Sequence, residues 1–343
     1  MTVGIRVVER LNGALHRLME ADPNLYVVGE DVADPYGGAF KVTRGLSTRF
    51  PDRVLTTPIS EQLIMGVANG LALSGNKAIA EFMFGDFAGL AFDQILNVTS
   101  KTVSMFGRHY PMPVLIRCPI GAQRGYGPTH SQSLQKHFVG IPNVALYELS
   151  AFHDFDEQLS AVLARGTPSI LFEDKVLYTR RCYRGGTVDD LLRYRCISPD
   201  NNMVEVFPVD SKGPDCVLLC PGGVAERCLA AARTLLLDQE IDTHVFVPFQ
   251  VHPLDLTPLH AAIAGARMVA IVEESFAGGT WGASVAVELY ARNFSALRQP
   301  IELIHCKGSV VPSALHLEAE IVVSADMIVE RVRQALGRPA VAQ

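Results

Sequence analysis

Long apolar runs are missing from this 343-residue chain. The longest, such as Val67 to Leu73 and Met268 to Val272, fall far short of the ~20 residues of a membrane-crossing helix, so no helical span is expected. Charge is also sparse: Asp, Glu, Lys and Arg make up 19% of residues, the formal net charge is -6, and the signs are mixed along the chain. That leaves no basic field to hold a nucleic acid backbone, and a nucleic acid partner is excluded. The seven cysteines are odd in number and scattered. Cys216, Cys220 and Cys228 lack a close Cys-x-x-Cys pair and a neighbouring His, so they read as buried small hydrophobes in a reducing compartment and not as zinc ligands. The amino terminus has no apolar signal core, and its acids argue against a transit peptide, which points to the cytoplasm. No convincing Gly-x-Gly-x-x-Gly element follows a strand, and no internal repeat stands out.

What is present is the pattern of a compact α/β protein, 48% hydrophobic and long enough for two cores. Val7, Leu11, Leu15 and Leu18 recur at helical spacing until Asp22-Pro23. Buried strands are expected at Leu25 to Val28, Lys77 to Phe82 and Val114 to Arg117, with helices from Glu61 to Leu73 and from Phe87 to about Met105. Strands that are apolar throughout and separated by helix-length segments imply a parallel sheet covered on both faces, a doubly wound α/β domain. Residues 181–213 are rich in charge and glycine, and read as an interdomain connection. A second α/β domain follows at 214–337, with strands at Val217 to Cys220, Thr243 to Val247 and Met268 to Val272. Residues 338–343 read as a tail.

Within this framework Thr57-Pro58-Ile59-Ser60-Glu61 places a carboxylate at the mouth of a helix, in a stretch containing Ile59, Ile64, Met65 and Val67. A carboxyl held among apolar side chains loses hydration, which favours its neutral, proton-donating form. A purely structural role is equally physical, because Ser60 suits the N-cap and an acid in the first turn complements the helix dipole. The loop after the Val114 strand ends in Thr129-His130-Ser131-Gln132-Ser133, offering an imidazole, hydroxyls and an amide at the edge of the sheet where ligands bind. His130 serves there as a proton carrier or as a solvated turn residue; His137 is the weaker candidate. Phe82, Phe84 and Phe87 offer rings near a strand end, for stacking on a planar heterocycle or for core packing. Gly278 to Gly282 opens a helix whose amides suit an anion, though weakly.

Taken in order, the segments VVGEDV, TPISEQ, EFMFGDF, AFDQILN, GPTHSQS and VEES closely resemble the beta subunit of the decarboxylating component of 2-oxo acid dehydrogenases, from about Val7 to Leu336. The resemblance implies a transketolase-type enzyme using thiamine diphosphate, with a pyrimidine-binding domain at 1–180 and a transketolase C-terminal domain at 214–337. By the same match Glu61 protonates the aminopyrimidine ring nitrogen, Phe87 stacks on the pyrimidine, and His130 lies near the reactive carbon, with Asp86 and Ser131 as neighbours. Some relatives hold potassium on backbone carbonyls, and Val114 and Val162 occupy the matching positions. The Gly-Asp-Gly…Asn motif that binds magnesium in such enzymes is absent: Gly85-Asp86-Phe87 does not satisfy it. The expected assembly is therefore an alpha-2 beta-2 tetramer in which an alpha subunit holds Mg2+ and the diphosphate, working with a lipoyl-bearing acyltransferase or acyl carrier. Two departures bear on the substrate. Leu90 stands where some pyruvate-specific relatives carry Gln, and Gly127-Pro128-Thr129-His130 looks like the loop of transketolases. Half of a split ketol-transferring enzyme is the alternative.

Overall fold

The structure is a computed structural model that describes residues 4–198, 203–308 and 310–337. It divides into two compact units, Met1–Gly121 with Thr129–Cys182, and Ala122–Pro128 with Tyr183–Gln343. Among the described residues no helix is long and apolar enough to cross a membrane.

In the first unit the apolar runs form β1 (Leu25–Gly29), β2 (Val54–Thr56), β3 (Lys77–Glu81), β4 (Val114–Ile120), β5 (Ala145–Glu148) and β6 (Ser169–Asp174). They pair in parallel in the order β5-β6-β4-β3-β1-β2. Because β2 lies on one side of β1 and β3 on the other, the winding reverses there. The crevice at the carboxyl ends of β1 and β3 is where an open α/β sheet receives ligands. The helix Val7–Ala21 buries Val7, Leu11, Ala14, Leu15 and Met19, as its spacing requires. The expected helix from Phe87 to Met105 is broken into a 3-10 segment, Gly85–Ala91, and a π-helical one, Gln94–Ser100. The start of this segment lies close to β4: a Cβ at Gly85 would sit 2.7 Å from Ile120 Cγ2.

The second unit contains β7 (Leu192–Ser198), β8 (Met203–Pro208), β9 (Cys216–Leu219), β10 (Thr243–Val247), β11 (Gln250–His252), β12 (Met268–Phe276) and β13 (Glu302–Cys306). Its sheet runs β13-β12-β9-β10-β8-β7, parallel from β13 to β10 and antiparallel at β8 and β7. The stretch 181–213, read from sequence as a connection, thus contributes two strands. The charges that masked them, Arg193 and Arg195, lie on edge strand β7, where exposed cations are common. The tail at 338–343 lies outside the described residues.

One ionic cluster pins the first sheet. Arg117 on β4 is fully buried; its Nε and Nη2 donate to the two oxygens of Glu173 at 2.7 Å each, and its Nη1 donates to Glu81. Tyr178 donates to Glu173 at 2.5 Å, and Glu81 accepts from the Ala39 amide at 2.8 Å. Burial works against the Arg117 charge, but Glu173 and Glu81 hold it protonated more firmly than an ordinary arginine. Gly38, at φ +71°, lets the 37–44 turn approach: a Cβ there would lie 2.3 Å from Glu81 Oε1. Replacing Arg117 by Met should lower the unfolding free energy by about 3–5 kcal/mol, because two carboxylates stay buried without their cation. Tyr178→Phe should cost only about 1 kcal/mol. Denaturant unfolding of both variants checks the ranking, and equal midpoints would contradict it.

Candidate active site

Everything expected of the catalytic constellation lies in the first unit, beyond the carboxyl ends of β2, β3 and β4. Glu61 opens the helix Glu61–Leu73, where Ser60 caps by accepting from the Leu63 amide at 3.3 Å. The helical period turns Glu61, Ile64, Met65, Ala68 and Ala72 inward, leaving Glu61 3% exposed. It also corrects part of the expected surroundings: Ile59 is 85% exposed and Val67 only half-buried, so Ile64 and Met65 belong to the inward face and Ile59 does not. Among the described residues the Glu61 carboxyl makes no hydrogen bond. Its electrostatic neighbour is Glu30, just beyond β1, which is itself buried. Burial pushes the Glu30 carboxyl up from its ordinary range, the charges of Glu61 and Asp31 push it further, and a hydrogen bond from the Ser60 backbone opposes both. In the sequence Glu30 stands in the segment VVGEDV, on a polar loop at the catalytic edge of the sheet, with no role of its own assigned. The available signal was its place, directly after an apolar strand at the point where the winding reverses.

His130 is held by ring geometry. Its imidazole meets Phe84 edge to face at 4.7 Å and 82°, and Phe87 at 5.1 Å and 85°. Nδ1 lies 2.9 Å from Thr129 Oγ1, which leaves Nε2 as the ring's outward nitrogen. Phe84 was only one of several rings in the sequence reading, yet it is the closer clamp. Behind it the fully buried Lys175 places its ammonium 5.6 Å from the Phe84 centroid. Asp86 Oδ1 accepts from the backbone amide of Gln132 at 3.1 Å and from its side chain at 3.0 Å. The loop after β3 is thereby tied to the one carrying His130. His137, on the short helix Gln135–Phe138, is not among these contacts.

Among the described residues four buried oxygens on the loops that follow β1 to β4 have no hydrogen-bond partner: Glu30 Oε1, Thr57 Oγ1, Asp86 Oδ2 and Ser131 Oγ. Such atoms are rare in finished interiors, because each costs about 1–3 kcal/mol. A polar heterocycle bound at this edge of the sheet brings donors and acceptors of its own. The potassium positions are less telling. Val114 opens β4 and Val162 lies in the helix Phe155–Ala164, both buried, and the Met112 amide donates to Gly166 O at 2.9 Å beside them. In the second unit the weakly anion-like turn at Gly278 to Gly282 is satisfied internally. Thr280 caps Ala283 at 3.1 Å, and the Gly282 amide donates to Glu273 at 2.7 Å.

Residues 4–180 match the family of the transketolase pyrimidine-binding domain, and residues 206–328 match the transketolase C-terminal domain. A pyruvate dehydrogenase E1 component subunit beta from Chaetosphaeridium globosum is 29% identical over 331 residues, covering 96% of this chain and 98% of its own. The Bacillus subtilis (strain 168) acetoin:2,6-dichlorophenolindophenol oxidoreductase subunit beta is 30% identical over 348 residues, covering 98% of each. The chain belongs to the beta-subunit family of thiamine-diphosphate-dependent 2-oxo acid dehydrogenases. Among solved structures, an inactive beta4 tetramer of a split-gene transketolase superposes with a TM-score of 0.71 at 21% identity, covering 98% of this chain and 99% of its own. At that identity the likeness concerns the fold. In this family's setting the paired acids Glu30 and Glu61 stand beside the pyrimidine-binding domain's crevice. Replacing Glu30 by Gln removes a carboxyl whose proton affinity is raised on folding. The variant should melt at higher temperature than the wild type at pH 7, and the gap should close as pH falls from the raised range of Glu30 toward the ordinary carboxylate value near ~4.3, where it is gone. A constant gap across that range would contradict the assignment.

Proposed function

We propose that the chain is the beta component of an alpha-2 beta-2 enzyme that decarboxylates a 2-oxo acid and passes the acyl group to a lipoyl-bearing acyltransferase. The observation that carries this reading is the buried Glu61, which makes no hydrogen bond among the described residues and is paired electrostatically with Glu30. Thiamine diphosphate, when bound, supplies the nucleophilic carbon and the electron sink for decarboxylation. Glu61 holds a proton toward the aminopyrimidine ring nitrogen, and Phe87 lies against the pyrimidine. Glu30, raised by burial and by the Glu61 charge, keeps a proton within the carboxyl pair. Asp86 and Ser131 present oxygens to the same ring system.

His130 acts on the substrate side. Phe84 and Phe87 fix its ring plane, and Thr129 occupies Nδ1, so Nε2 is left to orient the substrate carboxylate or to give a proton to the leaving sulfur of a lipoyl disulfide. Magnesium and the diphosphate fall to the alpha subunit, because this chain offers no Gly-Asp-Gly…Asn motif. Its seven cysteines suit a reducing compartment such as the cytoplasm.

The experiment uses the chain reconstituted with its alpha partner. Glu61→Gln should assemble normally but lower exchange of the thiazolium proton by about 100-fold or more, the usual scale of a lost general acid. His130→Ala should keep that exchange and lose turnover. Wild-type exchange in Glu61→Gln would reject the donor role. Carbon dioxide release from 2-oxo acids supports the oxidative reading, whereas aldehyde-phosphate release from ketose phosphates without carbon dioxide would replace it by ketol transfer.

A further inference from the structure

The second unit carries a cavity that the thiamine chemistry does not use. Alternate residues of β7, β8 and β10 share one face of the sheet, since Arg195 pairs with Glu205 and Glu205 with Phe246 in register. On that face lies a cavity of about 450 Å3, within the range of small-molecule sites. Its floor is Ile197, Phe207 and Phe246, and Ala261 and Ala262 wall one side.

A buried ionic relay shapes its rim. His244, 6% exposed, has Nδ1 2.8 Å from Glu205 Oε1 and Nε2 3.3 Å from Asp242 Oδ1. Both ring nitrogens face carboxylate oxygens, an arrangement that the doubly protonated ring satisfies. Burial opposes that charge, but the neighbouring Asp242 and Glu205 carboxylates prevail and raise the imidazole above its ordinary range. Ser211 Oγ lies 2.8 Å from His244 Nε2 and also accepts from the Gly213 amide at 3.1 Å. With both of those groups donating, the Ser211 hydroxyl has its own hydrogen left to donate outward. Arg195 commits Nε and Nη2 to Glu205, which leaves Nη1, and Lys212 makes no ion pair among the described residues. The rim therefore offers donors from Ser211, Lys212 and Arg195. Among the described residues the Glu205 and Asp242 carboxylates stand beside these donors and offset part of their charge.

We propose that this cavity is a binding site for a small monocarboxylic acid with an apolar body, its carboxylate received by Ser211, Lys212 and Arg195 and its body laid on Ile197, Phe207 and Phe246. Because Glu205 and Asp242 already offset the rim cations, the site suits a singly charged anion better than a dianionic phosphate, and the apolar floor suits a ligand with a hydrocarbon body.

The probe is 4-methylpentanoate, which lacks the oxo group that thiamine chemistry requires. It is titrated by calorimetry into the assembled alpha–beta protein, with inorganic phosphate as comparison and the His244 imidazole followed by NMR. Saturable binding is expected, with a shift of the His244 signals and weaker binding of phosphate. Lys212→Glu and Ser211→Ala, both at the rim, should each fold normally by thermal melt. Lys212→Glu should weaken binding by about tenfold or more, as loss of a charge-assisted hydrogen bond implies. Absence of saturable binding at millimolar concentration, unchanged affinity in Lys212→Glu, or an unmoved His244 signal overturns the site. Phosphate binding as tightly as the carboxylate overturns the ligand class.

Discussion

The buried pairing of Arg117 with Glu81 and Glu173 sets the starting points of the loops that carry the chemistry. It joins the carboxyl ends of β3, β4 and β6, and through Glu81 it also fixes the 37–44 turn. Phe84, Asp86 and Phe87 leave β3 within a few residues of Glu81, His130 follows β4, and Lys175 follows β6 directly. A buried ion pair is weak evidence for net stability, since its desolvation nearly cancels its attraction. Here its consequence is positional: three strand ends cannot slip independently without stranding a charge.

Magnitude decides between the two readings of Glu61. An acid in the first turn of a helix gains about 0.3–1 kcal/mol from the dipole when exposed. A buried polar group without a partner costs about 1–3 kcal/mol. Glu61 is buried, lacks a hydrogen bond among the described residues, and sits beside a second buried acid. That cost falls on Glu30 Oε1, Thr57 Oγ1, Asp86 Oδ2 and Ser131 Oγ, enclosed and unpartnered among the described residues, and a bound heterocycle with its own donors and acceptors offsets it. The ring clamp on His130 follows the same economy, with orientation supplied by two phenyl edges and one hydroxyl in place of a charged partner.

The fold was largely legible before the coordinates, because its signal is strong wherever strands are buried on both faces. The strands at 25–29, 77–81, 114–120, 216–219, 243–247 and 268–276 all coincide with apolar runs. Legibility failed where a local pattern was overridden. Edge strand β7 carries Arg193 and Arg195, so its alternation is hidden, and the helix expected after Phe87 is broken into 3-10 and π-helical segments, the first of which starts close to β4. At the site, Glu61, Asp86, Phe87 and His130 were named from motif and position, and three of them are brought together by ring contacts and the Asp86–Gln132 bonds. Glu30 and Phe84 were not singled out. Their significance depends on the distance of one side chain from another, which no spacing along the chain encodes.

The central claim is that Glu61 meets a cofactor whose charged tail rests on another polypeptide. It is tested most directly by an experimental structure of the chain assembled with its alpha partner and thiamine diphosphate. The account predicts a Glu61 carboxyl oxygen within hydrogen-bond distance of the aminopyrimidine ring nitrogen, with the diphosphate and magnesium on the alpha chain. A pyrimidine ring bound elsewhere, with the Glu61 carboxylate turned to bulk water, would contradict it.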